Sequence, residues 1–279
     1  GHFARMRGEF VDVGGTRLYY YATGTRGGGD PVVLLHGFPG SSHAWRGVAP
    51  LLPEGRRAVV VDLMGCGRSD GPRGTRSGLV DHAALIRGLM DDLALPRATI
   101  IGHGLGGAIA LRLALDAPAR VSALGLVSPP AFDAWPARLG RLARAVRPLA
   151  PLLGAAVLAS FVHGSAIAGY ADADEGRRAL DLALRAYPAR LGTAAILAHL
   201  AALRDPAIAG MAADLGRIAI PVAIVWGEDD PFLPPALGAR LRDAIPGAAL
   251  TVIPGARHFV PEDAPDRCAR ALAGLLARA

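Results

Sequence analysis

Short, uninterrupted apolar runs recur along the chain, and longer segments with a helical pattern separate them. The runs are Pro31–Leu35, Arg57–Leu63, Ala98–Ile101, Val121–Val127, Pro221–Trp226 and Ala249–Ile253. Strands without a polar face are typical of a parallel sheet that helices cover on both sides. The alternation of such strands with helices therefore predicts an α/β fold with a mostly parallel sheet.

Turn and cap signals complete this pattern. Glu9–Val13 and Arg17–Ala22 flank a pair of glycines, which predicts a β-hairpin at the start of the fold. Ser41 or Ser42 is a good N-cap for a helix that continues to Leu52. Further helices are predicted over Ser77–Leu95, Pro235–Ala244 and Asp263–Ala277.

The strand signal disappears after Pro130, where helical segments rich in Ala, Leu and Arg replace it as far as about Asp214. This change predicts two units: an α/β core of residues 1–130 and 213–279, and an inserted helical cap of residues 131–212. We expect the cap to lie over the carboxyl ends of the strands, where ligands bind in such sheets. The apolar run Leu149–Phe161 is too short to cross a bilayer, so no membrane contact is expected.

One stretch joins a strand to a helix through a sharp, glycine-rich turn. It reads Ile100-Ile101-Gly102-His103-Gly104-Leu105-Gly106-Gly107. This context is that of a nucleophile elbow, G-x-S-x-G, in which the central residue has a positive φ angle and points into a pocket. Gly102 and Gly106 keep the frame, but Gly104 stands at the nucleophile position and offers no oxygen, sulfur or carboxylate.

The same glycines also fit the G-x-G-x-x-G loop that binds the phosphates of a dinucleotide. That loop must follow the first strand of a βαβ unit, with an acidic residue about 20 residues further on. At that distance the chain reads Val121-Ser122-Ala123-Leu124, without an acid. We therefore favour the elbow, and we predict no cofactor.

Composition and charge exclude several other classes. With 279 residues and 52% hydrophobic residues, the chain can bury a large core. The net charge is +6 and every basic residue is Arg, but the arginines are scattered, so nucleic-acid binding is not expected. Cys66 and Cys268 lie far apart, and no Cys or His has the spacing of metal ligands, which predicts neither a disulfide framework nor a metal site. This cysteine usage and the lack of an apolar signal core at the N-terminus predict a cytoplasmic protein.

Four further motifs accompany the elbow: His36-Gly37-Phe38-Pro39-Gly40 and Asp62-Leu63-Met64-Gly65-Cys66-Gly67-Arg68-Ser69-Asp70 before it, and Trp226-Gly227-Glu228-Asp229-Asp230-Pro231 and Gly255-Ala256-Arg257-His258-Phe259 after it. In this order the five motifs resemble the α/β-hydrolase fold superfamily, over essentially the whole chain. The resemblance is to its capped group, which includes esterases, carbon–carbon bond hydrolases, epoxide hydrolases and haloalkane dehalogenases. Leu105-Gly106-Gly107 is most similar to the serine esterase and carbon–carbon hydrolase branch. The resemblance implies about eight strands.

The resemblance implies a role for particular residues. His258, just past the last strand, would act as a general base, because an imidazole can take and return a proton near neutral pH. Asp230 would hold that ring in the useful tautomer, with Glu228 and Asp229 as less favoured alternatives. The backbone N–H groups of Phe38 and Leu105 would form the oxyanion hole, which does not depend on a serine side chain.

The substrate side of the site is less well determined by the sequence. We expect a small, apolar molecule as the partner and a protein that is a monomer or a homodimer. The candidate substrate-binding residues are His36, Gly37, His103, Trp135 and Phe259.

Gly104 leaves three interpretations open. The chain can be an engineered Ser→Gly inactive form of a serine esterase or carbon–carbon hydrolase. It can be a non-catalytic small-molecule binding protein on the hydrolase scaffold. We favour the third: an enzyme that works without a covalent nucleophile, because a His–Asp pair beside an oxyanion hole still offers proton transfer and electrostatic stabilisation. Such an enzyme would act on a carbonyl, ester, lactone or epoxide, by water activation or by proton abstraction in a lyase or cyclase reaction.

Overall fold

The computed structural model describes residues 8–24, 29–53, 55–72, 78–134, 154–185, 191–202 and 206–278. Its strands are β1 (Glu9–Val13), β2 (Thr16–Thr23), β3 (Val32–Leu35), β4 (Ala58–Val61), β5 (Ala98–His103), β6 (Val121–Val127), β7 (Val222–Gly227) and β8 (Ala249–Ile253). They form one eight-stranded sheet in the order β1-β2-β4-β3-β5-β6-β7-β8. β2 is antiparallel to both of its neighbours, and the other pairs are parallel. The predicted α/β fold, its hairpin and its eight mostly parallel strands are therefore confirmed.

Helices cover the sheet and connect its strands. They are α1 (Leu79–Asp92), α2 (Leu105–Asp116), α3 (Ala155–Ala166), α4 (Ala173–Leu184), α5 (Gly192–Ala202), α6 (Pro206–Gly210), α7 (Pro235–Ala244), α8 (Val260–Asp263) and α9 (Pro265–Leu276). Apolar cores lie on both faces of the sheet. Val33 and Leu35 of β3 pack in one core, whereas the intervening Val32 and Leu34 pack in the other. This burial on both faces explains why the strands have no polar face.

The predicted helix from Ser41 or Ser42 to Leu52 is wrong in type and length. Ser41 does cap a helix, and its hydroxyl accepts the N–H of His43, but only a short 3-10 helix, Ser42–Trp45, follows. A second 3-10 helix, Ala49–Leu51, begins separately. Pro50 lacks an N–H donor and therefore suits the first turn of this second helix but not the interior of a continuous one.

The range 131–212, predicted to be a cap, contains α3 to α6 among its described residues and no strand of the sheet. The division into core and cap stays a prediction. The segment Gly192–Arg217, which begins in this range and extends beyond it, is long and apolar enough to resemble a membrane span, although residues 203–205 are not described. Ile196, Ile208 and Leu215 of this segment are buried in the core that contains Val33. A segment with these buried residues packs against the rest of the protein. The cytoplasmic location stays a prediction.

The glycines that flank Gly104 allow three pieces of backbone to approach closely. A methyl group at Gly106 would lie 2.6 Å from the carbonyl oxygen of His36, and closer still to that of Leu35. A methyl group at Gly102 would collide with the backbone of Gly106 in the same way. These contacts bring β5, the first turn of α2 and the end of β3 together, which sets the angle of the elbow.

We expect Gly106→Ala to lower the free energy of unfolding by about 1–3 kcal/mol, because backbone atoms must move to admit the methyl group. Urea denaturation of the variant and the parent protein measures this change. The matched control is Gly164→Ala in α3, where a methyl group meets nothing within 4 Å. That change should leave stability equal or raise it by about 0.5–1 kcal/mol, since alanine favours a helix. Equal stability of both variants would show that the elbow tolerates the side chain.

Candidate active site

The elbow has the backbone geometry of a nucleophile turn although it has no nucleophile. Gly104 lies between β5 and α2 with φ 52° and ψ −121°. Only glycine adopts these angles without strain, so an L-residue at this position would store energy in its backbone. The N–H of Gly104 donates to the carbonyl of Val127 over 2.9 Å, which fastens the turn to the end of β6.

His258 and Asp230 form a buried hydrogen-bonded pair at the same edge of the sheet. The Nδ1 atom of His258 lies 2.8 Å from Oδ2 of Asp230. The other carboxylate oxygen, Oδ1, accepts the N–H groups of Phe232 at 2.8 Å and Leu233 at 3.0 Å. Asp230 accepts a hydrogen bond at each of these contacts, so the imidazole of His258 donates from Nδ1. In this tautomer Nε2 carries a lone pair that can take a proton.

The Nε2 atom of His258 points at the position that a nucleophile would occupy. A Cβ atom on Gly104 would lie 3.6 Å from Nε2 and 3.4 Å from Cα of Gly37. Both distances are ordinary van der Waals contacts, so the space beside Gly104 can hold one small group. An oxygen in this space would lie within hydrogen-bonding reach of the base. The three predicted catalytic positions, Gly104, Asp230 and His258, are therefore brought together in one place.

The two predicted oxyanion-hole residues flank the same space. Leu105 is the first residue of α2, and the N–H groups of the first turn of a helix have no partner within the helix. Phe38 lines the cavity beside Gly104, and its ring stacks on His199 with 4.9 Å between ring centroids and an interplanar angle of 6°. His199 belongs to α5, so a helix of the predicted cap supports the position of Phe38.

Two buried polar residues hold the loop that follows β3. The Nδ1–H of His36 donates to the carbonyl of Gly37 over 2.7 Å, and its Nε2 accepts the N–H of Leu63 over 3.0 Å. Burial lowers the pKa of His36 and so favours the neutral ring that these bonds require. Asp62 accepts the N–H of Ser42 at 2.6 Å and the N–H of Arg68 at 2.8 Å. These bonds tie the loop after β3 to the loop after β4.

His103 lies underneath His258 rather than in the cavity. Its Nε2–H donates to the carbonyl of His258 over 3.0 Å, and burial lowers its pKa well below the ordinary value. A neutral ring at this place supports the backbone of the histidine loop. Gly37 packs against the His103 ring, where a methyl group would come within 2.7 Å of Nδ1.

The histidine loop is also fastened to the segment between α3 and α4. The N–H of Phe259 donates to the carbonyl of Gly169 over 3.1 Å, and the ring of Phe259 stacks on Tyr170 at 4.1 Å. The Tyr170 hydroxyl donates to Oε1 of Glu262 over 3.0 Å, and Arg46 donates to Oε2 over 2.6 Å. Burial raises the pKa of the Glu262 carboxyl in spite of the nearby Arg46 guanidinium.

A cavity opens in front of Gly104 and His258. It contains about 420 Å³ of free space, including the part open to solvent. Of the predicted substrate-binding residues, the structure brings Phe259 to this cavity. His36 and His103 are buried and do not line it, and Gly37 only borders the space beside Gly104. Trp135 lies outside the described residues. The described lining consists of Phe38, Pro39, Gly104, Leu105, Pro130, Ser165, Ala166, Phe232, Leu233, His258 and Phe259.

Several lining residues were not predicted from the sequence. Pro39, Pro130, Phe232 and Leu233 follow the ends of β3, β6 and β7, so the rule that ligands bind at the carboxyl ends of parallel strands could have identified them. Ser165 and Ala166 belong to α3, and the sequence carries no signal for them. Among the described residues, no group of three or more His, Cys, Asp or Glu side chains could hold a metal ion.

This arrangement defines a class of protein: an eight-stranded, mostly parallel sheet with an elbow after the fifth strand and a buried acid–histidine pair on later loops. The family model described as "alpha/beta hydrolase fold" matches residues 30–265. The chain therefore belongs to the α/β-hydrolase family, which confirms the predicted family and class of enzyme.

Individual relatives agree with this assignment. A Variovorax paradoxus protein with the provisional name carbamate hydrolase is 32% identical over 242 residues, 85% of this chain and 88% of that protein. Haloalkane dehalogenase 2 of Mycobacterium tuberculosis is 30% identical over 266 residues, 92% of this chain and 90% of its own length. The crystal structure of an α/β-hydrolase fold protein from Burkholderia ambifaria is 30% identical, with a TM-score of 0.85 over 95% of this chain and 97% of that one.

Proposed function

We propose that this protein is an α/β-hydrolase-fold enzyme that works without a serine nucleophile. In this proposal, the His258–Asp230 pair is the general base, and the Phe38 and Leu105 amides form the oxyanion hole. The substrate is a small apolar molecule with a carbonyl, ester, lactone or epoxide group. The observation that carries the proposal is the position of Nε2 of His258, 3.6 Å from where a Cβ atom on Gly104 would lie.

The lining of the cavity supports an apolar substrate. Except for His258 and Ser165, every described lining residue is apolar or glycine. Pockets of this kind bind the body of a ligand by excluding water, while a few polar groups fix its orientation. His258 and the two amides are therefore the groups that determine where the reacting carbon lies.

In the hydrolytic reaction, a water molecule beside Gly104 attacks the electrophilic carbon. His258 takes one proton of this water through Nε2 as the new carbon–oxygen bond forms. The carbonyl oxygen becomes an oxyanion and receives the N–H groups of Phe38 and Leu105. The imidazolium, stabilised by Asp230, then returns the proton to the leaving oxygen as the old carbon–oxygen bond breaks. No bond forms between the substrate and the protein.

The same base also suits a second reaction class. If the substrate carries an acidic C–H beside its carbonyl, Nε2 of His258 can take that proton, and the amides can hold the resulting enolate. Elimination or cyclisation then follows from the enolate. Decarboxylation of a β-keto acid reaches an enolate differently, by loss of CO₂ rather than of a proton; the amides can hold this enolate until a proton is added to its carbon. The two routes differ in the origin of the product oxygen, since only hydrolysis adds an oxygen from water.

The test is turnover of the Gly104 protein on a panel of esters, lactones, epoxides and β-keto acids in H₂¹⁸O. Hydrolysis by direct water attack should place one ¹⁸O in the product from the first turnover, without a burst and without a covalent adduct in the mass spectrum of the protein. Turnover without ¹⁸O incorporation would support the proton-abstraction route. A protein that converts no member of the panel, but binds some of them, would contradict the proposal and favour a binding function.

A further inference from the structure

The hydroxyl of Ser165 stands out among the described residues that line the cavity. Besides His258, Ser165 is the one residue of this lining whose side chain carries a hydrogen-bonding atom. In a mostly apolar pocket, a single polar group has a large influence on the orientation of the ligand, because a polar atom of the ligand that finds no partner loses its hydrogen bonds to water.

Ser165 comes from α3, whereas Gly104 and His258 come from the loops after β5 and β8. Leu158, Val162 and Ala166 of the same helix are buried, and Ala166 also lines the cavity. The catalytic loops and α3 therefore contribute to the lining of one cavity, and a ligand in this cavity can contact both.

The helix itself does not use the Ser165 hydroxyl. On the same helix, the hydroxyl of Ser160 donates to the carbonyl of Ala156 over 2.9 Å, a contact of the kind that serines often make within helices. Among the described residues, Ser165 makes no such bond. Its hydroxyl can both donate and accept, so it can bind a hydroxyl, keto or ether oxygen of a ligand.

We infer that Ser165 is a specificity-determining residue that selects a substrate with a second, neutral oxygen in addition to its reacting carbonyl. The body of this substrate is apolar, and the rings of Phe38, Phe232 and Phe259 around the cavity favour an aryl or alkyl group. The inference rests on the proposed function for the position of the carbonyl at His258. It adds the second oxygen, which contacts Ser165.

The test compares two matched pairs of small molecules. Methyl 3-hydroxy-3-phenylpropanoate and methyl 3-phenylpropanoate report turnover. The ketones 4-hydroxy-4-phenylbutan-2-one and 4-phenylbutan-2-one cannot be hydrolysed and report binding, by protein-observed NMR titration. The ligand signals in the same samples show whether the hydroxy ketone also undergoes elimination. The proteins are the parent, Ser165→Ala, and Ser160→Ala as the control on the same helix.

For the parent and Ser160→Ala, the hydroxylated member of each pair should be preferred by about 10-fold, the scale of one good hydrogen bond. In Ser165→Ala the preference should fall to about 2-fold or less, with KM affected more than kcat and with an unchanged Tm. A Ser165→Thr variant, which keeps the hydroxyl, should retain part of the preference.

Each result decides between the inference and its alternatives. Equal losses on both members of a pair in Ser165→Ala would mean a structural role and would overturn the inference. So would a parent protein that binds the two ketones equally or binds neither. Absence of turnover combined with a Ser165-dependent preference between the ketones would count against the proposed reaction while supporting the role of Ser165.

Discussion

His258→Ala is expected to lower kcat/KM by at least about 100-fold, the scale typical of the loss of a general base. The imidazole is the group that faces the space beside Gly104, where Nε2 would lie 3.6 Å from a Cβ atom. Without it, neither a water molecule nor a substrate C–H has a proton acceptor at this point. The measurement is steady-state turnover on whichever substrate the panel of esters, lactones, epoxides and β-keto acids identifies.

The fold should survive this substitution, since the bond that anchors the loop uses the main chain. His103 donates to the backbone carbonyl of residue 258, which alanine retains. Equal urea midpoints of variant and parent would establish that the loss is chemical. Added imidazole should restore part of the activity, because it can enter the space that the side chain leaves. The matched control His43→Ala removes a half-buried imidazole from the 3-10 helix Ser42–Trp45 and should keep parental turnover. Full activity of His258→Ala would rule out the general base.

The sequence could predict the sheet and the meeting of Gly104, Asp230 and His258 because both depend on patterns at fixed places along the chain. The strand β5, the turn at Gly104 and the helix α2 follow one another directly, so their order already implies the geometry of the elbow. The resemblance to the hydrolase family pointed to His258 and Asp230, and each of them lies on a loop just after an apolar strand. Parallel strands bring such loops to one edge of the sheet, even where the residues are far apart in sequence.

The direction of a side chain could not be predicted from a motif. His36 and His103 lie next to candidate site residues in sequence. His36, however, bonds the backbone of its own loop and of Leu63, and His103 donates to the backbone carbonyl of His258. Full burial of both rings decides this outcome, and burial depends on the packing of the whole sheet. A polar residue next to a candidate site residue in the sequence can contact the substrate only where its side chain reaches the cavity.

The walls of the cavity were also beyond prediction. Ser165 and Ala166 reach the site only because α3 packs with one face against the apolar core, and a serine within an Ala-rich helix gives no sign of this. The same limit applies to the 3-10 helices after β3. Ser42 is held by the bond from its N–H to Asp62, 20 residues away, which the local pattern does not contain, whereas Pro50 is a local signal against one continuous helix.

Gly104→Ser should convert the protein into one that a fluorophosphonate labels covalently, whereas the parent should not be labelled at all. A side chain at position 104 has room, because its Cβ would make only van der Waals contacts with Cα of Gly37 and Nε2 of His258. A hydroxyl on that Cβ would lie within hydrogen-bonding reach of Nε2, so the base could activate it as in a serine hydrolase. Labelling should be lost again when His258→Ala is combined with Gly104→Ser.

The matched control is Gly104→Ala, which adds the same Cβ but no nucleophile. Both substitutions force an L-residue to φ 52°, with a cost of about 1–2 kcal/mol in the free energy of unfolding, so strain alone cannot distinguish them. Only the serine variant should be labelled and should release a burst of product from an activated ester.

Both variants should be slower than the parent, by about 10-fold or more, in the parent's own reaction, because the Cβ occupies the space where the attacking water or the substrate must lie next to Nε2. If the parent is inert and Gly104→Ser alone is active, the covalent route is the native chemistry of this scaffold, and the proposal of an enzyme without a nucleophile fails. If Gly104→Ala keeps the parental rate, the reacting atom does not lie beside residue 104, and the role assigned to the space beside Gly104 is wrong.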